Sequence, residues 1–169
     1  MNRPENAATA LGCGLASEVV RTFGEVRLRV FGTSMVPSIL PGDLISVQRA
    51  SLSEISPGEI VLYSRGGRLF AHRVVGRTGS LESPRLITRG DRLSHNDPLV
   101  SPAELLGRVN SIQCGDGIEN RQVRPAARLS PWKGLIVRVL RMSDRATYLY
   151  LRVAAYRQSY FSGGAACRV

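Results

Sequence analysis

The pattern of apolar and polar residues predicts a chain of short strands preceded by a helix. Near the N-terminus, Leu11, Leu15, Val19 and Val20 recur at helical spacing, which indicates a short amphipathic helix. The stretch Val26–Phe31 then alternates apolar residues with arginines at period two, which is typical of a half-buried strand. Similar stretches predict five more strands, at Leu44–Gln48, Ile60–Ser64, Leu69–Val75, Arg85–Thr88 and Leu106–Gln113.

Gly and Pro residues separate these strands. Turn signals stand at Pro41-Gly42-Asp43, Pro57-Gly58, Gly66-Gly67 and Asn96-Asp97-Pro98. Many short strands with such punctuation favour a mainly β fold, in which an antiparallel sheet curls on itself. The sequence therefore divides into an N-terminal helix at 1–25, a β domain at 26–114, a polar linker at 115–130 and a helical tail at 131–169.

The tail carries nearly all of the net charge of +10. Residues 121–169 hold nine arginines and Lys133 against the single acid Asp144, whereas the preceding residues are almost balanced. An apolar stripe that begins at Trp132 and Leu135 predicts a basic amphipathic helix. Such a helix packs on the β domain, pairs with a second copy, or lies through residues 131–160 on an anionic membrane surface.

The tail does not predict a nucleic-acid partner. It lacks the interleaving of aromatic and basic residues that is typical of nucleic-acid-binding modules. The sequence gives no indication of the oligomeric state.

Lysine is almost absent from this chain. Of the 23 basic residues, only Lys133 is a lysine, and it lies in the tail. A desolvated lysine can act as a general base, whereas arginine stays protonated. Any proton transfer within the β domain must therefore use another kind of base.

The cysteines do not indicate a disulfide framework or a metal site. Cys13, Cys114 and Cys167 are odd in number and widely spaced, without a metal-binding motif around them. No metal or organic cofactor is expected. The sequence also shows neither a secretory signal nor a run of apolar residues long enough to span a bilayer. These features predict a cytoplasmic or peripherally membrane-associated protein.

Ser34 and His72 are candidates for catalysis. Ser34 follows a predicted strand and lies close to Gly32, which would let a substrate carbonyl approach the backbone, where the Ser34 amide can stabilise an oxyanion. His72 shares one face of a predicted strand with Phe70 and Val74. A histidine in that position is either a satisfied core residue or a base with a pKa suited to neutral pH.

Asp91 and Asp97 lie on either side of a polar loop that also contains His95. Either carboxylate can accept a hydrogen bond from a histidine ring and fix its tautomer. The alternative is ordinary turn chemistry, since Gly-Asp and Asn-Asp-Pro sequences are common in turns. His95 itself is interpreted as a surface residue.

These candidates belong to runs with a characteristic order: Gly32–Asp43, Pro57–Val61, His72–Gly76, Ile87–Asp91 followed by Asp97, and Gly107–Val109. Over roughly residues 28–112, the runs resemble the conserved boxes of the signal peptidase I superfamily. The resemblance implies a serine endopeptidase that cleaves a precursor or signal-like peptide. Typical bacterial members have a lysine where this chain has His72, whereas endoplasmic-reticulum, archaeal and sporulation-type members have a histidine. The chain thus resembles the Ser/His branch.

The resemblance also implies roles for individual residues. Ser34 would attack the peptide, His72 would transfer the proton, and Asp97 would orient His72, with Asp91 supporting the site. Met35 would shape the pocket for a small substrate residue. Gly32 stands where many signal peptidases have a serine that assists the oxyanion hole, so backbone donors would replace that hydroxyl here. The family's N-terminal membrane anchor is not visible in this sequence.

Two other interpretations compete with this one. Self-cleaving repressors of the SOS response share the Gly-x-Ser-Met box, and Cys13-Gly14 is similar to one of their cleavage sites. Those repressors need a lysine base and a helix-turn-helix domain, neither of which this sequence shows. The other alternative is a non-catalytic module with the same fold that uses its basic tail to bind a membrane or nucleic acid.

Overall fold

The computed structural model describes residues 4–80, 83–114, 120–122 and 147–153. Helix α1 spans Pro4–Phe23, so the predicted N-terminal helix is present and longer than its apolar pattern indicates. It ends at Gly24, whose φ of 80° is the left-handed conformation that glycine adopts without strain. The Gly24 N–H donates to the carbonyl of Val20 at 3.0 Å and closes the last turn.

One antiparallel sheet of seven strands forms the body of the protein, in the order β1-β2-β6-β3-β4-β5, with β7 paired to β6. This architecture confirms the predicted mainly β fold. Each predicted strand forms within about two residues of its expected bounds, except that β4 is longer. The strands are β1 Glu25–Arg29, β2 Leu44–Arg49, β3 Ile60–Arg65, β4 Arg68–Thr78, β5 Arg85–Arg89, β6 Leu105–Gln113 and β7 Asn120–Gln122.

The hairpin between β3 and β4 follows from the Gly66-Gly67 pair. Arg65 and Arg68 are opposite each other, so the turn consists of the two glycines alone. Both have positive φ, at 57° and 70°, which is the conformation that a tight two-residue hairpin requires. Further along β4, an irregularity between Val74 and Gly76 lets the strand continue beyond its predicted end while it pairs with β5.

Apolar side chains cover both faces of the sheet. Strand β3 lies at its centre and is buried on both sides, so Ile60 and Leu62 face one cluster while Val61 and Tyr63 face the other. The first cluster also receives Val20 from α1, which packs the helix against this face. The two clusters form the core on either side of the sheet. The first contains Val20, Met35, Ile39, Ile45, Val47, Ile60, Leu62, Leu106, Val109 and Ile112, and the second contains Leu52, Ile55, Val61, Tyr63, Val74, Leu86, Val100 and Leu105.

The predicted linker and tail are described only in part. Within 115–130, residues 120–122 form β7, a strand that the sequence analysis did not predict. Within the tail, residues 147–153 are helical, and Thr147 is buried where Arg92 Nη1 donates to its hydroxyl at 3.3 Å. The apolar stripe that begins at Trp132 lies outside the described residues. No helix in the described part of the chain is long and apolar enough to cross a membrane.

Candidate active site

Ser34 lies in a tight loop that follows β1. Backbone hydrogen bonds between Val30 and the Gly42-Asp43 turn close the base of this loop, at 2.7 and 2.8 Å. Inside it, Met35 and Ile39 are buried in the first cluster and anchor the segment. Because its neighbour is held in the core, Ser34 has a fixed position at the surface.

His72 lies within β4, opposite Val61 of β3. Its side chain is buried on the face of the second cluster, with the rings of Phe70 and Tyr63 about 6 Å away in edge-on orientation. The pattern of β4 correctly predicted this shared face. The ring nevertheless reaches the site, because Nε2 lies 2.9 Å from Ser34 Oγ. His72 thus has both the apolar surroundings of a core histidine and a hydrogen bond to the candidate nucleophile.

Asp97 occupies the other side of the imidazole. Its Oδ2 lies 2.7 Å from His72 Nδ1 and also accepts a hydrogen bond from Thr88 Oγ1 at 2.8 Å. The Asp97 N–H donates to the Thr88 carbonyl at 2.8 Å, which fixes the backbone. Ser34, His72 and Asp97 therefore form a continuous chain of hydrogen bonds. In such a chain the histidine holds its proton on Nδ1 and presents Nε2 to the serine.

Asp91 has a different function from Asp97. It forms a two-pronged ion pair with Arg73, at 2.8 and 2.7 Å, while Ser34 and Asp97 take both nitrogens of the histidine ring. Arg73 also donates to the Gly58 carbonyl at 2.8 Å and to Ser38 Oγ at 3.3 Å. Of the two sequence candidates for the histidine partner, only Asp97 contacts the ring. Asp91 supports the site indirectly, by holding the arginine that contacts the serine loop.

Gly90 and Arg92 also hold the serine in place. The sequence analysis included Gly90 in the run Ile87–Asp91 but gave neither residue a role. The Arg92 N–H donates to the Ser34 carbonyl at 2.9 Å. A Cβ at Gly90 would lie 2.8 Å from the Ser34 carbonyl oxygen and 3.0 Å from Ser34 Cβ, so only glycine fits. The glycine was visible in the sequence, but its contact with a residue far away along the chain was not.

The loop after Asp97 is fixed by Arg65 and Glu104. Arg65 Nε donates to Glu104 at 2.6 Å, and its other nitrogens donate to the carbonyls of Pro98 and Leu99 at 3.0 and 2.9 Å. Glu104 in turn accepts from the backbone and hydroxyl of Ser101. The hydrogen bond from Arg65, with help from Ser101, lowers the pKa of Glu104 to about 2. This ion pair also raises the pKa of Arg65.

Tyr63 lies buried behind the histidine. Its hydroxyl is 3.5 Å from His72 Nδ1, and its ring stacks on Phe70 with centroids 5.3 Å apart. Burial raises the pKa of Tyr63 to about 12, and the negative charge of Asp97 adds to the effect. The phenol therefore stays protonated throughout the neutral range and presents a hydroxyl beside the imidazole.

An apolar groove of about 560 Å³ opens beside Ser34 and His72. Gly32 and Met35 both lie in its wall, so the structure brings these two predicted residues to the same groove as the serine. A Cβ at Gly32 would meet no atom within 4 Å, so this glycine leaves open space above the loop. The N–H of Ser34 has no hydrogen-bond partner among the described residues and remains available to an oxyanion.

The remaining titratable candidates form no part of the hydrogen-bond chain through Ser34, His72 and Asp97. His95 is exposed in the loop between Asp91 and Asp97. Cys13 has a free thiol, Cys114 directly follows β6, and Cys167 lies outside the described residues. Among the residues that the structure describes, no group of His, Cys, Asp and Glu side chains is arranged to hold a metal ion.

Most of the site lies within a match to a known protein family. A family model described as Peptidase S24-like matches residues 13–93, a range that includes Ser34, His72 and Asp91 but ends before Asp97. The chain is thus similar to the superfamily that unites S24 peptidases and signal peptidase I. The match supports a peptidase or a self-cleaving role of the S24 type. No curated protein matches the sequence.

Proposed function

We propose that this chain is a serine endopeptidase of the signal peptidase I type, which uses Ser34 as nucleophile and His72 as general base. The observation that carries the proposal is the chain of two short hydrogen bonds, 2.9 Å from Ser34 Oγ to His72 Nε2 and 2.7 Å from His72 Nδ1 to Asp97. Both distances are within the reach that proton transfer requires. The absence of lysine from residues 4–114 makes histidine the base available near Ser34.

In the first step, Ser34 Oγ attacks the carbonyl carbon of the scissile peptide bond while its proton moves to His72 Nε2. The imidazolium that forms keeps its Nδ1–H on Asp97, whose carboxylate stabilises the positive charge. The carbonyl oxygen becomes an oxyanion and accepts the Ser34 N–H. His72 then gives the proton to the leaving amine, and the C–N bond breaks to leave an acyl-enzyme on Ser34.

In the second step, water hydrolyses the acyl-enzyme. His72 takes a proton from the water as it attacks the ester carbonyl, and returns it to Ser34 Oγ when the acyl group leaves. No metal or organic group takes part in these steps. Met35 in the groove wall supports the proposed preference for a small residue beside the cut, since its buried side chain limits the depth of the pocket.

The strand edges beside the groove suit an extended peptide. Strand β1 pairs only with β2 in the described part of the sheet, and β5 pairs with β4 only from Arg73 onwards. The outer edge of β1 and that of residues 68–72 are therefore unpaired, and residues from both line the groove. A peptide substrate can add to such edges as a strand, with main-chain hydrogen bonds supplying affinity.

The nucleophile and base can be tested before a substrate is known, with a fluorophosphonate probe that reacts with activated serines. We expect Ser34 to be the labelled residue and Ser34→Ala to remove the label. His72→Ala should slow labelling about 10³-fold or more, because the serine loses its base. His95→Ala is the matched control and should react like the wild type, since His95 is exposed and away from the groove. Equal labelling of wild type and His72→Ala would contradict the proposal.

A second candidate function is self-cleavage at Cys13-Gly14. The observation that favours it is that Gly12, Cys13 and Ala16 of α1 line the same groove as Ser34. Because these residues are helical, the bond must leave the helix before the serine can attack it. Mass spectrometry after incubation at pH 7 to 10 distinguishes the two functions. Ser34-dependent release of residues 1–13 indicates self-cleavage, whereas an intact chain that cleaves added peptides supports the endopeptidase.

A further inference from the structure

Two arginines stand in the wall of the otherwise apolar groove. Arg29 is the last residue of β1 and Arg68 the first of β4, and both are exposed. Apart from them, the polar functional groups of the described wall residues are Ser34, His72 and the Cys13 thiol. None of the described residues in the wall is Asp or Glu. The groove is therefore positively charged.

Both arginines lie on chain segments that lead to the serine and the histidine. Ser34 Oγ and His72 Nε2 are 2.9 Å apart, and both arginines line the same groove as these two residues. Arg68 precedes His72 by four residues and Arg29 precedes Ser34 by five. In an extended strand, four residues span roughly 13 Å. Arg68 thus lies about 13 Å from His72 along β4, and Arg29 is separated from Ser34 by a similar length of chain.

Arg29 and Arg68 differ from three other arginines of the sheet in having no acidic partner among the described residues. Arg65, Arg73 and Arg108 pair with Glu104, Asp91 and Glu59. Arg29, by contrast, donates one hydrogen bond, from Nη1 to the Gly42 carbonyl at 2.9 Å, and forms no ion pair with a described residue. Arg68 has neither an ion pair nor a side-chain hydrogen bond within the described ranges. Both side chains are exposed and line the groove.

We infer that Arg29 and Arg68 form a carboxylate-binding subsite, which selects peptide substrates with an Asp or Glu about four or five residues from the cleaved bond. The inference rests on the proposed function. A guanidinium can hold a carboxylate with two parallel hydrogen bonds, and two such groups without acidic partners favour an anion. Because the subsite is exposed, we expect it to contribute a three- to tenfold preference rather than the bulk of the affinity.

The test measures binding to Ser34→Ala, so that it does not depend on cleavage. The probes are fluorescein-labelled, alanine-rich decapeptides, each with one Asp or, in its matched twin, one Asn, and affinity is measured by fluorescence anisotropy. At one or two positions the Asp peptide should bind three- to tenfold more tightly than its twin. Adding Arg68→Gln should remove most of this preference and Arg29→Gln part of it, and 0.5 M NaCl should weaken it. Arg68→Glu should invert it toward a Lys-containing peptide.

Arg27→Gln is the matched control. Arg27 is an exposed arginine of the same strand as Arg29, but it does not line the groove, so the preference for Asp should persist. Equal binding of the Asp and Asn peptides would overturn the subsite, as would an equal effect of Arg27→Gln and Arg68→Gln. Phosphatidylglycerol vesicles test a membrane function. If Arg68→Gln reduces vesicle binding and leaves the peptide preference unchanged, the subsite is overturned.

The two proposals fail in different ways. If Ser34→Ala retains the preference for Asp but the wild type neither cleaves peptides nor reacts with fluorophosphonate, the peptidase proposal fails while the subsite stands. If the wild type cleaves peptides with no acidic preference at any position, the subsite fails and the peptidase proposal stands.

Discussion

The two sides of the candidate site are built in different ways. Ser34 is half-buried in the loop after β1, between Gly32, which has open space beside it, and the buried Met35, and it is in contact with Gly90 and Arg92. His72 and Asp97 belong to a denser region. Their immediate neighbours are the aromatic rings and hydroxyls of β3, β4 and β5, which include Tyr63, Phe70 and Thr88.

This difference corresponds to the different requirements of a general base and a nucleophile. A base and its carboxylate need a fixed tautomer and little water, which burial within the sheet supplies. A nucleophile must instead meet a peptide, so it needs an open position. Because the serine must stay accessible, few contacts hold it. The hydrogen bond from the Arg92 N–H to the Ser34 carbonyl is therefore important for its position. Substitution of Asp97 weakens the histidine side, substitution of Gly90 weakens the contact between the two sides, and substitution of Glu104 or Tyr63 weakens the supports of the histidine side.

The largest effect is expected from Asp97→Asn. An amide in place of the carboxylate favours the wrong tautomer of His72, because the side-chain NH₂ competes to donate to Nδ1. We expect the rate of fluorophosphonate labelling, or of peptide cleavage, to fall about 10³- to 10⁴-fold. The fold should persist, since Asn has nearly the same shape as Asp and the Thr88 hydroxyl can accept from the amide NH₂ when that group turns toward the ring. If the Asp97→Asn variant reacted at a rate within tenfold of the wild-type rate, the carboxylate would not assist the base.

Gly90→Ala should have the next largest effect, because it moves the Ser34 loop away from His72. The added Cβ would lie 2.8 Å from the Ser34 carbonyl oxygen, and the loop must move to relieve this contact. We expect activity to fall about 100-fold, as a small displacement of the nucleophile costs proximity, and stability to fall by about 1–3 kcal/mol.

Gly76→Ala is the matched control for that substitution. Gly76 also lies in the sheet, but a Cβ there would meet only the Ile87 side chain, at an ordinary 3.6 Å. Chemical denaturation and labelling rates should both stay close to wild type. If the two alanine variants lose activity equally, the contact between Gly90 and Ser34 does not hold the nucleophile.

Much of the fold could be predicted from the sequence because its signals are local. The alternation in β1 to β6 and the Gly66-Gly67 turn depend on neighbouring residues, and these elements form where the pattern indicates. Strand β7 was missed because residues 120–122 are polar, and they become a strand only by pairing with the end of β6. The extra length of β4 likewise comes from its partner β5.

The family resemblance made part of the site predictable, because the contacts between distant segments cannot be deduced from spacing in the sequence. Ser34, His72 and Asp97 were candidates by residue type, yet spacing alone left Asp91 and Asp97 as equal partners for the histidine. The structure separates them, because Arg73 takes Asp91. Supporting residues such as Gly90 and Arg65 were not predicted as part of the site, since their importance comes from contacts with segments that are distant in sequence.

Glu104→Gln should produce a smaller effect, on the support of the Asp97 loop. The folded pKa of Glu104, about 2, is below its ordinary value near 4.5, so its stabilising contribution is present above pH 4.5 and disappears as the pH falls toward 2. At neutral pH the variant should lose about 2 kcal/mol of unfolding free energy, the usual contribution of a hydrogen bond to a charged group. At pH 2 the two proteins should converge. Glu18→Gln, at an exposed position of α1, serves as the control.

Tyr63→Phe should have the smallest effect and distinguishes burial from chemistry on the dense side. Phenylalanine keeps the ring that stacks on Phe70 and removes only the hydroxyl, which lies at a long 3.5 Å from His72 Nδ1. We therefore expect activity to change less than about threefold and stability by about 0.5–1.5 kcal/mol.

The stability of the protein at alkaline pH supplies a further measurement. Because the pKa of Tyr63 is raised to about 12, its protonated form stabilises the fold below pH 10, and this contribution is lost between about pH 10 and 12. The variant should lack that loss, and a tenfold fall in activity at neutral pH would instead make the hydroxyl part of the proton-transfer chain.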